Sequence, residues 1–369
     1  MTLRTLVLMM TVAIVQRGAT FVPNDPDTPS RVRPLASLAP AERMTLPGPV
    51  DSNSPAYWAL RHGRRLLHVV TSGPDPRVSV GADVASLGFT RAASFDNAVN
   101  GSRWMEAIVP DDDGRLYGYY HNEPANVCGA SSLTAPRIGA ALSDDDGRTW
   151  HDLGIILEAP PDSLDCGTGN KYDAGGVGDF SVMLDPEKKD LYIFYSVYAR
   201  DAEQQGVAVA RMLWSNRDHP RGSVAVWQDG IWSYPEIGDN EQPVYSAATP
   251  IFPAARSWHD RSRQVDAFWG PSVHFNTAIN QYVMLLNHAS DGDFTQEGIY
   301  ISLASSLEDP REWQVPQRLL KGGKWYPQVI GEGTDGTDRF AGESPRLFVS
   351  GVSEYVINFE RPADSAVAR

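Results

Sequence analysis

The feature that most constrains this chain is a hairpin grammar that returns at long range. In its clearest form, from Gly175 to Ala199, small flexible residues and an acid, Asp179, precede an apolar run (Phe180 to Leu184). A polar turn (Asp185 to Asp190) and a second apolar run (Leu191 to Tyr198) follow. Two β-rich runs across a short polar turn read as a hairpin. The same order appears in WMEAIVPDDDGRLYGYYHNE from Trp104, FWGPSVHFNTAINQYVMLLNHA from Phe268 and GESPRLFVSGVSEYVINFE from Gly342, with a looser copy, DSNSPAYWALRHGRRLLHVVTSG, from Asp51. About five copies with starts spaced by roughly 55 to 90 residues suit propeller blades carrying loop insertions. A lectin-type β-sandwich also supplies short alternating strands, but gives no reason for one grammar to recur five times. The expectation is an all-β chain, folded as a five-bladed β-propeller over residues 50–362.

Composition agrees. The 27 Pro, 32 Gly and 10% aromatic residues favour many short strands joined by turns, and no stretch has the period of a long amphipathic helix. A net charge of −14 argues against nucleic acid or an anionic membrane as partner, because phosphate needs a basic surface. Residues 1–19 carry one early positive charge, Arg4, and an apolar run from Thr5 to Val15. That run is too short to span a bilayer and fits a signal peptide, so a secreted or periplasmic protein with no membrane insertion of the mature chain is expected. Residues 20–49 read as a Pro-rich arm or linker and 363–369 as a C-terminal tail. Cys128 and Cys166 either pair, stapling the loops that flank Ile138–Leu142, or remain two lone thiols. No CxxC or His-Cys cluster suggests zinc.

Along the chain, blade one is expected to hold Tyr57–Leu60, Leu66–Thr71 and Val78–Gly81, with a turn at His62–Arg64. Blade two holds Ala107–Val109, Leu116–Tyr120 and Arg137–Leu142; blade three takes Gly206–Met212 and Val224–Trp232 as its outer strands; blade five takes Pro345–Val349 and Tyr355–Phe359 as its inner pair. Little chain remains after Arg361, so a segment within 26–50 must supply the closing outer strand. Between the third and fourth strands of blade two, Ser143, Asp145, Gly147, Thr149 and Trp150 form Ser-x-Asp-x-Gly-x-Thr-Trp, which resembles the Asp-box of sialidase-type propellers. In that spacing Asp145 bonds turn amides, Gly147 supplies positive φ and Trp150 packs back on the blade, so its acids are structural.

In a propeller the starts of the inner strands converge on one end of the axis, so acids far apart in sequence become neighbours. Clustered carboxylates raise one another's pKa, leaving one protonated and another ionised, as glycosidic cleavage requires. The candidates are Asp179, with glycines at 175, 176 and 178 around it, Glu106, Glu343 and Asp266, with Asp96 in reserve; each has a structural alternative, such as a turn cap for Asp179 or an ion pair with Arg103 or Arg137 for Glu106. The exposed turn acids Asp111–Asp113 and Asp144–Asp146 are set aside. Trp104, Trp269, Trp325 and Tyr326 sit near inner-strand starts and offer stacking faces, though blade-wedging is the usual work of such residues. His121, Asn122 and Glu123 end the second strand of blade two and return to the face of Glu106, Arg103 is a further candidate for binding substrate, and His274 either points into the channel or is a satisfied structural histidine.

The five-bladed layout, with an acid at the start of several inner strands, resembles the arabinanase, xylosidase and invertase-type glycoside hydrolases. The sequence shares the Trp-Met pair (Trp104-Met105) of the invertase motif. The resemblance implies an exported carbohydrate-active enzyme hydrolysing O-glycosyl bonds of an oligosaccharide or glycoside. It implies no cofactor and no catalytic metal; a structural calcium near the axis is the one ion considered. The alternatives are a non-catalytic, lectin-like binding propeller and a sialidase-like hydrolase, which needs an arginine cluster for the substrate carboxylate.

Overall fold

The computed structural model describes residues 36–360 apart from 62, 74, 130, 131, 161, 240 and 241. The proposed signal peptide, the first part of the arm, His62 and the tail lie outside the described residues. The strands build five antiparallel blades around an axis. From axis to rim, blade one comprises Ala56–Arg61, Arg64–Thr71, Arg77–Gly81 and Phe89–Ala92. Blade two comprises Ser102–Pro110, Leu116–Glu123, Arg137–Ser143 and Thr149–Leu157. Blade three begins with Val177–Leu184, Asp190–Val197, Gly206–Leu213 and Val224–Gln228. Blade four comprises Gln264–Asn276, Gln281–Asp291, Gln296–Ala304 and Gln317–Lys321.

Blade five departs from the expected register. Its inner strand is Pro327–Ile330, and the hairpin Arg346–Val349 and Val352–Phe359 supplies its second and third strands. The four-residue inner strand is joined to the second by a long connection, so it leaves no hairpin signal, and the legible hairpin stands one position further from the axis. The outermost strand is Ala36–Thr45, antiparallel to Val352–Phe359, with Ala36 opposite Phe359 and Thr45 opposite Val352. The closing strand thus comes from the N-terminal side, and residues 36–45 are a strand rather than part of an arm.

Each blade is covered by its neighbours on both faces, which is why the inner strands read as apolar runs; every residue of Asp190–Val197 is buried. Five apolar clusters fill the five interfaces. Tyr57 and Val78 meet Met105 and Trp150 between blades one and two; Tyr119 and Ile138 meet Phe180 and Ile193 between two and three. Phe194 and Val209 meet Met284 and Trp313 between three and four; Leu285 and Ile301 meet Leu347 and Ile357 between four and five. The fifth cluster, Ala56, Leu67 and Val69 with Ile330 and Phe348, joins the last blade to the first and closes the ring. At the axis the closure is polar: the Ser54 N–H donates to Gln328 Oε1 (2.5 Å), Gln328 Nε2 donates to Ser54 O (3.2 Å), and Trp58 Nε1 donates to Gly336 O (2.9 Å).

The turn Ser143–Trp150 is held as its spacing demands. Asp145 Oδ1 accepts from the amides of Arg148 and Thr149, each at 2.9 Å, and Oδ2 accepts from Thr149 Oγ1 at 2.8 Å. Gly147 has φ 73°, and Trp150 packs so closely on Gly118 that a Cβ there would lie 2.6 Å from the indole. Cys128 and Cys166 form a disulfide between the loop before strand Arg137–Ser143 and the loop after strand Thr149–Leu157. No described helix is long and apolar enough to cross a membrane.

Candidate active site

Two inner strands are interrupted at the same level. In blade two the pairing register shifts between Met105 and Ala107, leaving Glu106 as the extra residue of a bulge. In blade three it shifts between Gly178 and Phe180, leaving Asp179 there, at φ 42°. A bulge re-aims a side chain out of the sheet's alternation, and a non-glycine residue held at positive φ stores about 1–3 kcal/mol that the surroundings must hold in place. Both carboxyl groups consequently face one cavity of about 200 Å3. Its wall also includes Asp51, Glu123 and Asp173, His121, and the rings of Trp104, Tyr172, Trp269, Phe294, Trp325 and Tyr326.

The two acids are fixed by a short relay. The Phe180 N–H donates to Glu106 Oε2 (2.7 Å), tying blade two to blade three. The Asp179 N–H donates to His121 Nδ1 (3.0 Å), and Tyr198 OH donates to Asp179 Oδ2 (2.5 Å). Glycine at 178 is required for this approach, since a Cβ there would sit 2.5 Å from His121 Cε1. The glycines before Asp179 therefore admit protein, not ligand: a Cβ on Gly176, at φ 98°, would lie 2.5 Å from Pro136 N.

Burial pushes Glu106 up from its ordinary 4.5 to about 7, the Asp179 charge adding to it, against the opposing His121 and Phe180 N–H. Asp179 is raised by burial too, opposed by His121 and by the hydroxyls of Tyr198 and Tyr326. Asp173 is held well above the carboxylate range by burial, then by Glu123 and Asp179, and Asp51 is raised by burial and by Asp179 and Glu123. Burial alone lowers His121, but Glu106 and Glu123 outweigh it and raise its pKa. The Asp179 N–H on Nδ1 opposes that rise, because it can bond only an unprotonated Nδ1; in that form the ring carries its hydrogen on Nε2, 3.4 Å from Glu123 Oε1.

Of the residues singled out from the sequence, Asp179, Glu106, Trp104, His121, Glu123, Trp269, Trp325 and Tyr326 line the cavity. The others do not. Glu343 is exposed, on the segment leading into the second strand of blade five, a consequence of that blade's register. Asp266 bonds His288 Nε2 at 2.9 Å, and Asp96 pairs with His151 at the edge of blade two. Arg103 is turned the other way along its strand: its guanidinium bonds Asp152 Oδ2 (3.2 Å) and Asn97 and lies over Phe95. Asn122 alternates away from His121 and Glu123, donating to Asn100 O and Ser102 O and accepting from Arg137 Nε. His274 is buried beside Phe359, and burial lowers its pKa to about 3. The alternative partners of Glu106, Arg103 and Arg137, are both engaged elsewhere.

Sequence reasoning missed Asp51, Asp173, Tyr172, Phe294 and Tyr198. Asp51 opens the first repeat copy in the place where other copies carry an acid, a usable signal; Tyr172 and Asp173 lie in a loop with no periodicity. Glu106, His121 and Asp179 each offer a donor atom within 4.8 Å of the others, close enough to grip a cation. Three of their lone pairs, however, already receive protons from Phe180, Asp179 and Tyr198, an arrangement suited to handling protons.

No protein-family model matches the sequence, and no curated protein does. Similar solved structures include a thermostable family-43 glycoside hydrolase, at 11% identity and TM-score 0.46, covering 87% of this chain and 93% of that one. An endo-arabinase from Bacteroides thetaiotaomicron shows 11% identity and TM-score 0.47 over 85% of this chain and 95% of that one. An inulosucrase from Halalkalicoccus jeotgali bound to kestose shows 16% identity and TM-score 0.44 over 84% and 78%.

Proposed function

We propose that this protein is an exported carbohydrate-active enzyme that hydrolyses a glycosidic bond, with Glu106 as general acid and Asp179 as nucleophile. The observation that carries the reading is the pair of buried carboxyl groups on adjacent bulges, facing one aromatic-walled cavity, with Glu106 raised to about 7. Glu106 Oε2 accepts the Phe180 N–H, which leaves Oε1 to carry the proton toward a leaving oxygen. The Asp179 carboxylate, held by Tyr198, attacks the anomeric carbon as that proton is transferred, giving a glycosyl ester and the free alcohol. Glu106, now ionised, takes a proton from water; the hydroxide so formed attacks the same carbon, releasing the sugar and Asp179. The nearest carboxyl oxygens of the pair lie within 4.8 Å, short of the ~6.5–9.5 Å that admits a water between the groups and nearer the ~5–5.5 Å of double displacement, so retention of configuration is expected.

Among the described residues no arginine lines the cavity, which weighs against a sialidase: Arg103 and Arg137 are tied within blade two, and Arg346 bonds Glu42 O. The disulfide supports export, since such bonds persist in oxidising compartments. Turnover of a panel of aryl glycosides and oligosaccharides tests the proposal. Asp179→Asn should abolish turnover of all of them, by about 10²–10⁴-fold or more. With substrates whose activated leaving group needs no proton, Glu106→Gln should still release the leaving group in a first burst, while steady-state turnover falls because the ester then lacks its base. Treatment with a chelator should leave the rate unchanged, and loss of the rate would transfer the cluster to a metal. A wild-type protein inert on the whole panel would make this a binding propeller.

A further inference from the structure

The cavity wall carries three carboxyl groups that the hydrolytic step does not use. Asp173 is 5% exposed, lines the cavity, and receives no side-chain hydrogen bond from any described residue. Its backbone is what holds it: Asn170 bonds both its N–H and its C=O, and Asp173 bridges to Thr134. A carboxyl group fixed by its backbone, desolvated and unmet by the protein, is set to meet something in the cavity. Glu123, with 39% of its side chain exposed, and Asp51 share that wall, and both are close enough to influence the cavity's acids. The wall also carries aromatic rings, with Tyr172 edge-on to Phe294 (5.5 Å) and to Trp325 (5.9 Å). Among the described residues neither lysine nor arginine lines the cavity; Lys171, next to Tyr172 in sequence, lies over its ring and does not line the cavity.

A cation in a partly dry site draws the proton off a carboxyl group such as Asp173 and is held by the resulting carboxylate and by the ring faces together. A neutral sugar can bond the carboxylates through hydroxyls but brings no charge to offset them, and an anionic sugar is repelled. The volume, about 200 Å3, lies below the ~300–1,000 Å3 of pockets for drug-sized ligands and suits a single ring. We propose that the sugar residue seated in this cavity carries a protonated amine, which lies against Asp173 and Glu123 while its ring stacks on the aromatic wall. This rests on the hydrolase reading above and narrows its substrate to glycosides of unacetylated amino sugars.

Calorimetric titration of the intact protein with glucosamine, galactosamine and mannosamine, each beside its N-acetyl and its neutral counterpart, tests it. At least one amino sugar should bind about tenfold or more tightly than both counterparts, and Asp173→Asn should remove that preference. The wild-type selectivity decides the matter even if the variant folds poorly. Equal affinity for amine and neutral forms, preference for a neutral form, or no binding of any amino sugar overturns the proposal. Amine-selective binding without hydrolysis of any glycoside sinks the hydrolase reading alone. Hydrolysis of neutral glycosides without amine selectivity sinks only the amine.

Discussion

A single proton on Glu106 links the site to the stability of the molecule. Burial lifts its folded-state pKa to about 7, above the ordinary 4.5, so between those values the folded protein keeps a proton that the unfolded chain has released. Stability therefore falls as pH rises through that window, by up to an order of ~3 kcal/mol, and the penalty is fully present above pH 7. Glu106→Gln still offers an oxygen to the Phe180 N–H but never ionises. Its melting temperature should exceed that of the wild type at pH 8 and match it near pH 4; equal melting temperatures at both would show that Glu106 titrates normally. If the same proton serves catalysis, kcat/KM should decline above about pH 7. Tyr198→Phe removes a donor that favours ionised Asp179. Its activity should drop, and the acidic limb of the pH profile should move to higher pH, whereas a merely packing role for Tyr198 leaves the profile in place.

At the level of elements, the two bulges make the site and one turn makes a blade, and they should respond differently to mutation. Gly178→Ala puts a methyl 2.5 Å from His121 Cε1 and 3.0 Å from Pro136 Cβ. His121 must shift and release the Asp179 N–H, at a cost of about 1–3 kcal/mol and a loss of activity; an unchanged melting temperature and rate would mean that the ring moves freely. Asp145→Ala removes the acceptor of four turn donors, Ser143 Oγ, Arg148 N, Thr149 N and Thr149 Oγ1. Chemical denaturation should show a loss of about 1–3 kcal/mol with kcat/KM unaltered at a temperature where the variant is folded, because the turn contributes nothing to the cavity. The turn was legible because its bonds lie within eight residues. The bulges were not: a displaced residue has no signature of its own, and Asp179 stood out only through the glycines beside it.

Across the whole molecule, closure decides stability. The Cys128–Cys166 bond spans 38 residues, and the chain-entropy estimate for such a loop is about 4 kcal/mol. Reduction should lower the denaturation midpoint and weaken any ligand held against Tyr172 and Asp173, whose loop carries Cys166; an unaltered midpoint would show that the loops stay in place without the bond. The sequence by itself determined the number of blades, the inner hairpins of the first four, and the need for an N-terminal closing strand, because each hairpin folds on local alternation and short turns. It also picked out eight of the residues around the cavity, since the starts of inner strands converge in any propeller. Only the tertiary structure decided the rest. Glu343 fell away because blade five counts its strands from a four-residue segment that carries no pattern. Arg103 and Asn122 fell away because a side chain's face depends on where a bulge resets the alternation. Asp173 came in because it is positioned by backbone contacts to Thr134 and Asn170, and its charge matters only where burial and the neighbouring acids act on it together, which no local run of residues encodes.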